Sequence, residues 1–191
     1  MRDQPRIGWI GCGRMGSAMA KRLIAGANEL HVTNRTRSRA EILGELGARV
    51  VDNPLDLADC DVVFVMVSAD AQLLEVLNGP LGVLANEDVA PRIVIDCSTV
   101  STSASATARE ACSLRGSEFL AAPVSGNPKV VASGKLTLAV SGSRTSFDEV
   151  RTLLEQLGHG VTYVGEGEVA RSAGLVMEPE NKVIADGLGV Q

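Results

Sequence analysis

Aromatic residues are scarce in this chain. Phe, Trp and Tyr make up 3% of its 191 residues, against 45% hydrophobic residues in all. The core must therefore be built from Val, Leu, Ile and Ala, which suits a buried parallel sheet covered by helices. Basic residues are outnumbered: 18 Lys and Arg face 23 Asp and Glu, for a net charge of −5. With no basic stripe, nucleic acid is not an expected partner. A phosphate ligand must then be held by local groups rather than by a general positive field. The four cysteines, Cys12, Cys60, Cys97 and Cys112, contain no C-x-x-C pair, and His31 and His159 lie far from them. That spacing argues against a zinc site or redox dithiol and for free thiols in a reducing cytosol. No apolar run reaches transmembrane length, and the one that follows Met1–Pro5 is too short for a signal peptide. A cytoplasmic protein with no membrane partner is expected.

What the chain does have is glycine in one telling arrangement. Ile7-Gly8-Trp9-Ile10 is a short apolar run, and it meets Gly11, Cys12, Gly13, Arg14, Met15 and Gly16. An amphipathic pattern of Met15, Ala18, Met19 and Leu23 follows. Strand, glycine turn and helix in this order form a dinucleotide-binding turn. Gly11 permits the tight bend, Gly13 lets a pyrophosphate approach the backbone, and Gly16 lets the helix lie close to the strand. The helix start then offers unpaired N–H groups and a partial positive charge. A glycine-rich turn without a ligand is the plain alternative.

The second strand ends at Asn34-Arg35-Thr36, with Asn34 18 residues past Gly16. A dinucleotide fold places its ribose reader there. An Asp or Glu would repel a 2′-phosphate; the neutral Asn34, followed by Arg35, Arg37 and Arg39, instead favours NADP over NAD. The same arginines could also form a solvated turn and helix face.

Short apolar runs place strands over 6–10, 30–33, 49–51, 61–67, 92–96, 118–121, 136–140 and 161–164, of which 61–67 is apolar enough to be central. Helices are expected over 14–25, 38–46, 71–77 and 101–114, a brief one from Pro54 to Ala58, and one on the stripe Phe147, Val150, Leu153, Leu154 and Leu157. The alternation argues an α/β, doubly wound, mostly parallel sheet. Ligands bind such sheets at the strands' carboxyl ends, which singles out the loop Ser68-Ala69-Asp70 after the fourth strand, while Ser98-Thr99 follows the fifth. After residue 165 the pattern changes: Gly174, Pro179, Gly187 and Gly189 oppose a long helix.

Taken together these segments resemble the β-hydroxyacid dehydrogenases, which include 3-hydroxyisobutyrate and 6-phosphogluconate dehydrogenases. The resemblance covers residues 6–171. It rests on Gly11–Gly16 with Met19, on Asn34-Arg35-Thr36, on Asp96-Cys97-Ser98-Thr99, on Ala122-Pro123-Val124-Ser125-Gly126-Asn127 and on Gly165-Glu166-Gly167. It implies a nucleotide-binding domain, here 1–165, with 166–191 beginning an interdomain helix toward an all-helical domain that these residues do not include. A shortened product, a disrupted reading frame or an isolated first domain would each look so. The resemblance also implies that Ser98, Ser125, Gly126 and Asn127 face a small anionic substrate. For Ser98 a helix cap is the alternative, and for Ser125–Asn127 a plain turn. Gly11–Gly16, Asn34–Thr36, Val67, Ser68 and Thr99 would hold NADP. The family's catalytic lysine falls on Gly174 and its asparagine on Glu178, which leaves the acid/base unassigned; Lys182 is a weak substitute. An NADP-dependent oxidoreductase is implied, with an NADP-binding module lacking turnover as the alternative and a homo-oligomer possible. A short-chain dehydrogenase is disfavoured, because the sole tyrosine, Tyr163, has Gly167 four places on, where Tyr-x-x-x-Lys needs a lysine.

Overall fold

The computed structural model describes residues 5–172 and, beyond them, the backbone of two short strands at 176–177 and 183–184. The chain opens with β1 (Ile7–Ile10), α1 (Arg14–Ala25), β2 (Leu30–Thr33), α2 (Arg37–Gly44) and β3 (Arg49–Val50). A 3₁₀ turn at Pro54–Leu57 leads to β4 (Val62–Val65), α3 (Asp70–Asn78), β5 (Ile93–Asp96), α4 (Thr102–Leu114) and β6 (Glu118–Ala121). Then come β7 (Val124–Ser125), α5 (Pro128–Ala132), β8 (Thr137–Ser141), α6 (Arg144–Leu157), β9 (Gly160–Gly165) and α7 (Val169–Ser172). The last strands, β10 (Val176–Met177) and β11 (Val183–Ile184), pair antiparallel with each other.

The main sheet runs β3-β2-β1-β4-β5-β6-β8-β7, with β9 also on β8. From β3 to β6 every pairing is parallel. β8 runs antiparallel to β6 and β7 and parallel to β9. The order reverses at β1, which lies between β2 and β4, so the crevice above β1 and β4 is the topological switch point. Alternate residues along each strand feed opposite layers. Trp9, Phe64, Ile93 and Ile95 join Met19, Leu23 and the α6 stripe on one side. Ile10, Val63, Val65 and Val94 join Leu73, Leu77 and Cys112 on the other. The scarce aromatics are concentrated here: Trp9 stacks on Phe64 with ring centroids 5.3 Å apart.

Several boundaries differ from the sequence expectation, each for a local reason. β4 ends at Val65 rather than at residue 67, which frees Met66 and Val67 to leave the ladder. α2 spans Arg37–Gly44 rather than 38–46, and Gly47 at φ +104° turns the chain away beyond it. Val124–Ser125 was expected as loop but pairs with β8, and α5 was not expected at all. It is five residues long and capped by Asn127, whose Oδ1 accepts from the Lys129 and Val130 N–H groups. Among the described residues no helix is long and apolar enough to cross a membrane.

Candidate functional site

A groove of about 660 Å³ opens over the carboxyl ends of β2, β1 and β4. Three turns build it, and the glycines of the first have separable roles. Gly11 has φ +100°, and a Cβ there would lie 2.1 Å from the Met66 carbonyl oxygen. A Cβ on Gly16 would lie 2.0 Å from the Gly11 carbonyl oxygen. At Gly13 a Cβ would meet nothing within 4 Å, so this glycine faces open groove. The Trp9 indole N–H donates to the Gly11 carbonyl at 2.9 Å and pins the bend from below.

Helix caps divide by position. α4, α5 and α6 are capped by the side chains of Ser101, Asn127 and Ser143. α1, α2 and α3 receive no side-chain cap. All three begin at the groove, whose lining includes Gly13, Thr36 and Ser68. The first N–H groups of a helix have no intrahelical acceptor. Those of Arg14, Met15 and Gly16 therefore present donors and the positive end of the α1 dipole to the groove. Cys12 N–H is not among them, because it donates to Asn34 Oδ1 at 2.8 Å.

Asn34 is fully engaged. Besides accepting from Cys12, its amide donates to the Thr36 carbonyl at 2.8 Å, which ties the ends of β1 and β2 together. Charge reading at this end falls to its neighbours. Arg35 and Arg39 line the groove, and among the described residues neither makes a side-chain ion pair. Arg37 does not line it; its guanidinium pairs with Glu41 and with Asp52. The three-arginine cluster expected from sequence is thus reduced to two.

Of the expected contact residues, Gly11, Gly13, Arg14, Met15, Gly16, Asn34, Arg35, Thr36, Val67 and Ser68 all line the groove. Cys12 and Thr99 do not. Cys12 is buried, and burial pushes its thiol up to about 12; Thr99 is exposed at the end of β5. Sequence reasoning missed the far wall, formed by Asp52–Pro54, Gln72, Glu75 and Gly79–Leu81. The signal for Asp52–Pro54 was available, since that loop follows the carboxyl end of β3, a strand of the parallel sheet.

Ser98 lies beneath this wall. Its side chain is fully buried and its Oγ accepts from Val67 N–H at 2.9 Å. The cap of α4 is Ser101, not Ser98. Ser125, Gly126 and Asn127 are exposed and lie outside the groove. They precede α5, whose Pro128 and Ala132 help to line a second depression of about 650 Å³ on the outer side of α1. Arg14 lines both hollows and joins them. Gly174, Glu178 and Lys182 lie outside the described residues. Among those described, no cluster of three metal-ligating side chains occurs.

Comparison with known proteins identifies the family of this fold. Residues 6–165 match the family model described as the NAD binding domain of 6-phosphogluconate dehydrogenase. The chain is 32% identical over 161 residues to glyoxylate/succinic semialdehyde reductase 2, chloroplastic, of Arabidopsis thaliana, covering 84% of this chain and 45% of that protein. It is 34% identical over 173 residues to probable 3-hydroxyisobutyrate dehydrogenase, mitochondrial, of Dictyostelium discoideum, covering 86% and 52%. It therefore spans about half the length of these curated relatives. Among solved structures, Psf3 in complex with NADP+ and 2-OPP superposes with a TM-score of 0.79 at 31% identity, over 86% of this chain and 58% of that one.

Proposed function

We propose, from the premise that the chain belongs to the β-hydroxyacid dehydrogenase family through its 6-phosphogluconate dehydrogenase NAD binding domain, that its groove binds NADP(H). The protein of which this domain is part would then interconvert a small 3-hydroxy acid and its semialdehyde. The observation that carries the reading is an open phosphate turn at Gly13 beside an acid-free ribose position, Asn34-Arg35. We divide the chain at 165/166, with the cofactor domain before and the start of an interdomain segment after.

The fit is chemical as well as steric. The uncapped N–H groups of Arg14, Met15 and Gly16 suit a pyrophosphate. Arg35, with Arg39 behind it, suits a 2′-phosphate, for which a guanidinium fork matches the oxygen geometry. Cys12 acts indirectly, its N–H holding the Asn34 side chain in place. Val67 and Ser68 line the groove at the end of β4, and Thr99, exposed past the end of β5, would meet the cofactor only beyond that lining. When bound, the cofactor supplies or accepts a hydride at its nicotinamide ring. The chain's own residues position what surrounds that event. Ser98 holds the Val67 N–H, while Ser125 Oγ and the remaining Asn127 amide N–H groups can receive a small carboxylate. Gly126 keeps that turn low.

A second reading follows from the resemblance, which sets the family's lysine on Gly174. Glycine has no proton to exchange, so these 191 residues alone would bind cofactor without useful turnover. A general acid/base contributes about 10²–10⁴-fold to such a reaction. Calorimetric titration with NADPH and NADH tests the binding claim, and lack of saturable binding by either would refute it. An NADPH-consumption assay on semialdehydes separates the two readings. Turnover near the enzyme median of about 10 s⁻¹ would remove the second.

A further inference from the structure

We propose that Arg171 is a positioning residue for the cofactor groove, acting through Asp96 and Ser98 on the Val67 N–H; the proposal rests on the dinucleotide reading of that groove. Arg171 lies in α7, remote in sequence from every groove segment, yet its side chain is only 3% exposed. It donates through Nη2 to Asp96 Oδ2 at 2.6 Å and through Nη1 to the Ser98 carbonyl at 2.7 Å. A third donor, Nε, reaches Ser105 Oγ at 2.8 Å. Asp96 is wholly buried, and its other oxygen accepts from Ser98 N–H at 3.0 Å. The 96–98 turn is thus gripped at its carboxylate, its N–H and its carbonyl. What that turn presents outward is Ser98 Oγ, which accepts from Val67 N–H.

A buried carboxylate and guanidinium are a costly way to fasten one turn of helix. Burial pushes the Asp96 carboxyl up, against the opposing pull of Arg171 and the Ser98 N–H. A plain fastening of α7 needs no link to the groove, because Arg109 already holds this region. Its Nε pairs with Glu168 at 2.6 Å, and its Nη2 donates to the Gly167 carbonyl at 2.7 Å. What Arg171 adds is the path to Val67. Strand order places the consequence: Arg35 follows β2, the phosphate turn follows β1 and Val67 follows β4. Neighbouring strands are about 4.8 Å apart, so Val67 stands two strands from the 2′-phosphate reader. Arg171 therefore sets the half of the groove away from the adenosine end.

The test is a pair of titrations on the 191-residue protein, one with NADPH and one with 2′,5′-ADP, which carries only the adenosine half. The expected result for Arg171→Met is NADPH weakened about tenfold or more, the size of one disrupted charge-assisted contact, with 2′,5′-ADP within about twofold of the parent. Equal weakening of both ligands, or no change in either, overturns the proposal. If Arg171→Met does not fold, Ser98→Ala carries the test, since it removes only the acceptor of the Val67 N–H. The same split between ligands is expected, with faster deuterium exchange at the Val67 amide; unchanged exchange overturns the proposal. A parent that binds neither ligand refutes the dinucleotide reading itself. A parent that binds both, with variants showing no split, refutes the proposal alone.

Discussion

Replacing Gly13 by alanine separates binding from folding. The backbone there is ordinary, φ −71° and ψ −172°, so alanine enters without strain. Its Cβ meets nothing within 4 Å. Alanine is a poorer N-cap than glycine, but it also reduces the freedom of the unfolded chain, and the two effects oppose each other at about 0.5–1 kcal/mol each. The melting temperature should move by no more than about 2–4 °C. The added methyl nevertheless stands where a pyrophosphate must approach the α1 N–H groups. Losing one or two charge-assisted hydrogen bonds, about 1.5–3 kcal/mol each, weakens NADPH by roughly tenfold to a hundredfold or more. Gly16→Ala is the contrasting variant. Its Cβ would lie 2.0 Å from the Gly11 carbonyl oxygen, so α1 must move off the strand. Overpacking of this kind costs about 1–3 kcal/mol or more, and this variant should melt well below the parent. Thermal melts and NADPH fluorescence titrations on the three proteins suffice. A Gly13→Ala protein that binds NADPH as the parent does, or melts as low as Gly16→Ala, would refute the reasoning.

Three further outcomes are expected. Arg35→Ala should weaken NADPH about tenfold to a hundredfold and leave NADH nearly unchanged, whereas Arg37→Ala, already paired with Asp52 and Glu41, should change neither; calorimetry showing equal effects contradicts this assignment. The buried thiols of Cys12, Cys60 and Cys112 are pushed from 9.0 up to about 12, so they should resist a disulfide reagent in the native protein and react in denaturant. Because their folded values are raised, the stability they contribute is intact below the ordinary thiol value and is lost between about pH 9 and 12; a flat urea midpoint across that range argues otherwise. Ser101→Ala removes the α4 cap and the hydroxyl's hydrogen bond to Asp70, while the backbone N–H bond to the other carboxylate oxygen stays, and should cost about 1 kcal/mol by urea melts near neutral pH. The hydroxyl bond is the largest of the causes that hold the Asp70 carboxyl below its ordinary 3.8, so its share of the gap between parent and variant is full above that pH and shrinks as pH falls through the lowered value; a pH-independent gap would assign the whole effect to the cap.

The part of the site that a short segment encodes by itself was legible in the sequence. Gly11, Gly13 and Gly16 state their roles through spacing, and the structure gives each the expected surroundings. The α1 and β2 boundaries agree with the pattern because strong periodicity meets clear stops, a glycine at 26 and a turn at 34–36. Long-range pairing was not legible. Arg37 has Glu41 four residues on, where Arg39 has Leu43, but the approach of Asp52, which completes the capture of Arg37, is a long-range contact. Val124–Ser125 is too short to carry a period, and becomes a strand because β8 returns beside it. Ser98 offered a plausible cap, but the position three residues on caps better, since α4 starts at Thr102. The role of Arg171 was not legible, because its hydrogen-bond partners Asp96, Ser98 and Ser105 are more than sixty residues away in sequence.

The uncapped starts of α1, α2 and α3 have a consequence for how fast and how firmly an anion is held. The molecule as a whole carries −5, so at long range it repels a dinucleotide phosphate. Within a few ångströms the sign reverses, because three helix dipoles and Arg35 converge on one crevice. Salt acts on these two ranges differently. At physiological ionic strength the Debye length is about 8 Å, so added salt screens the outer repulsion and speeds arrival, while in the crevice it speeds departure. Multivalent buffer anions do more, since they can occupy the helix starts themselves. An affinity measured in phosphate or sulfate is then a competition constant. The intrinsic value belongs to a zwitterionic buffer, where no buffer anion competes for the helix starts.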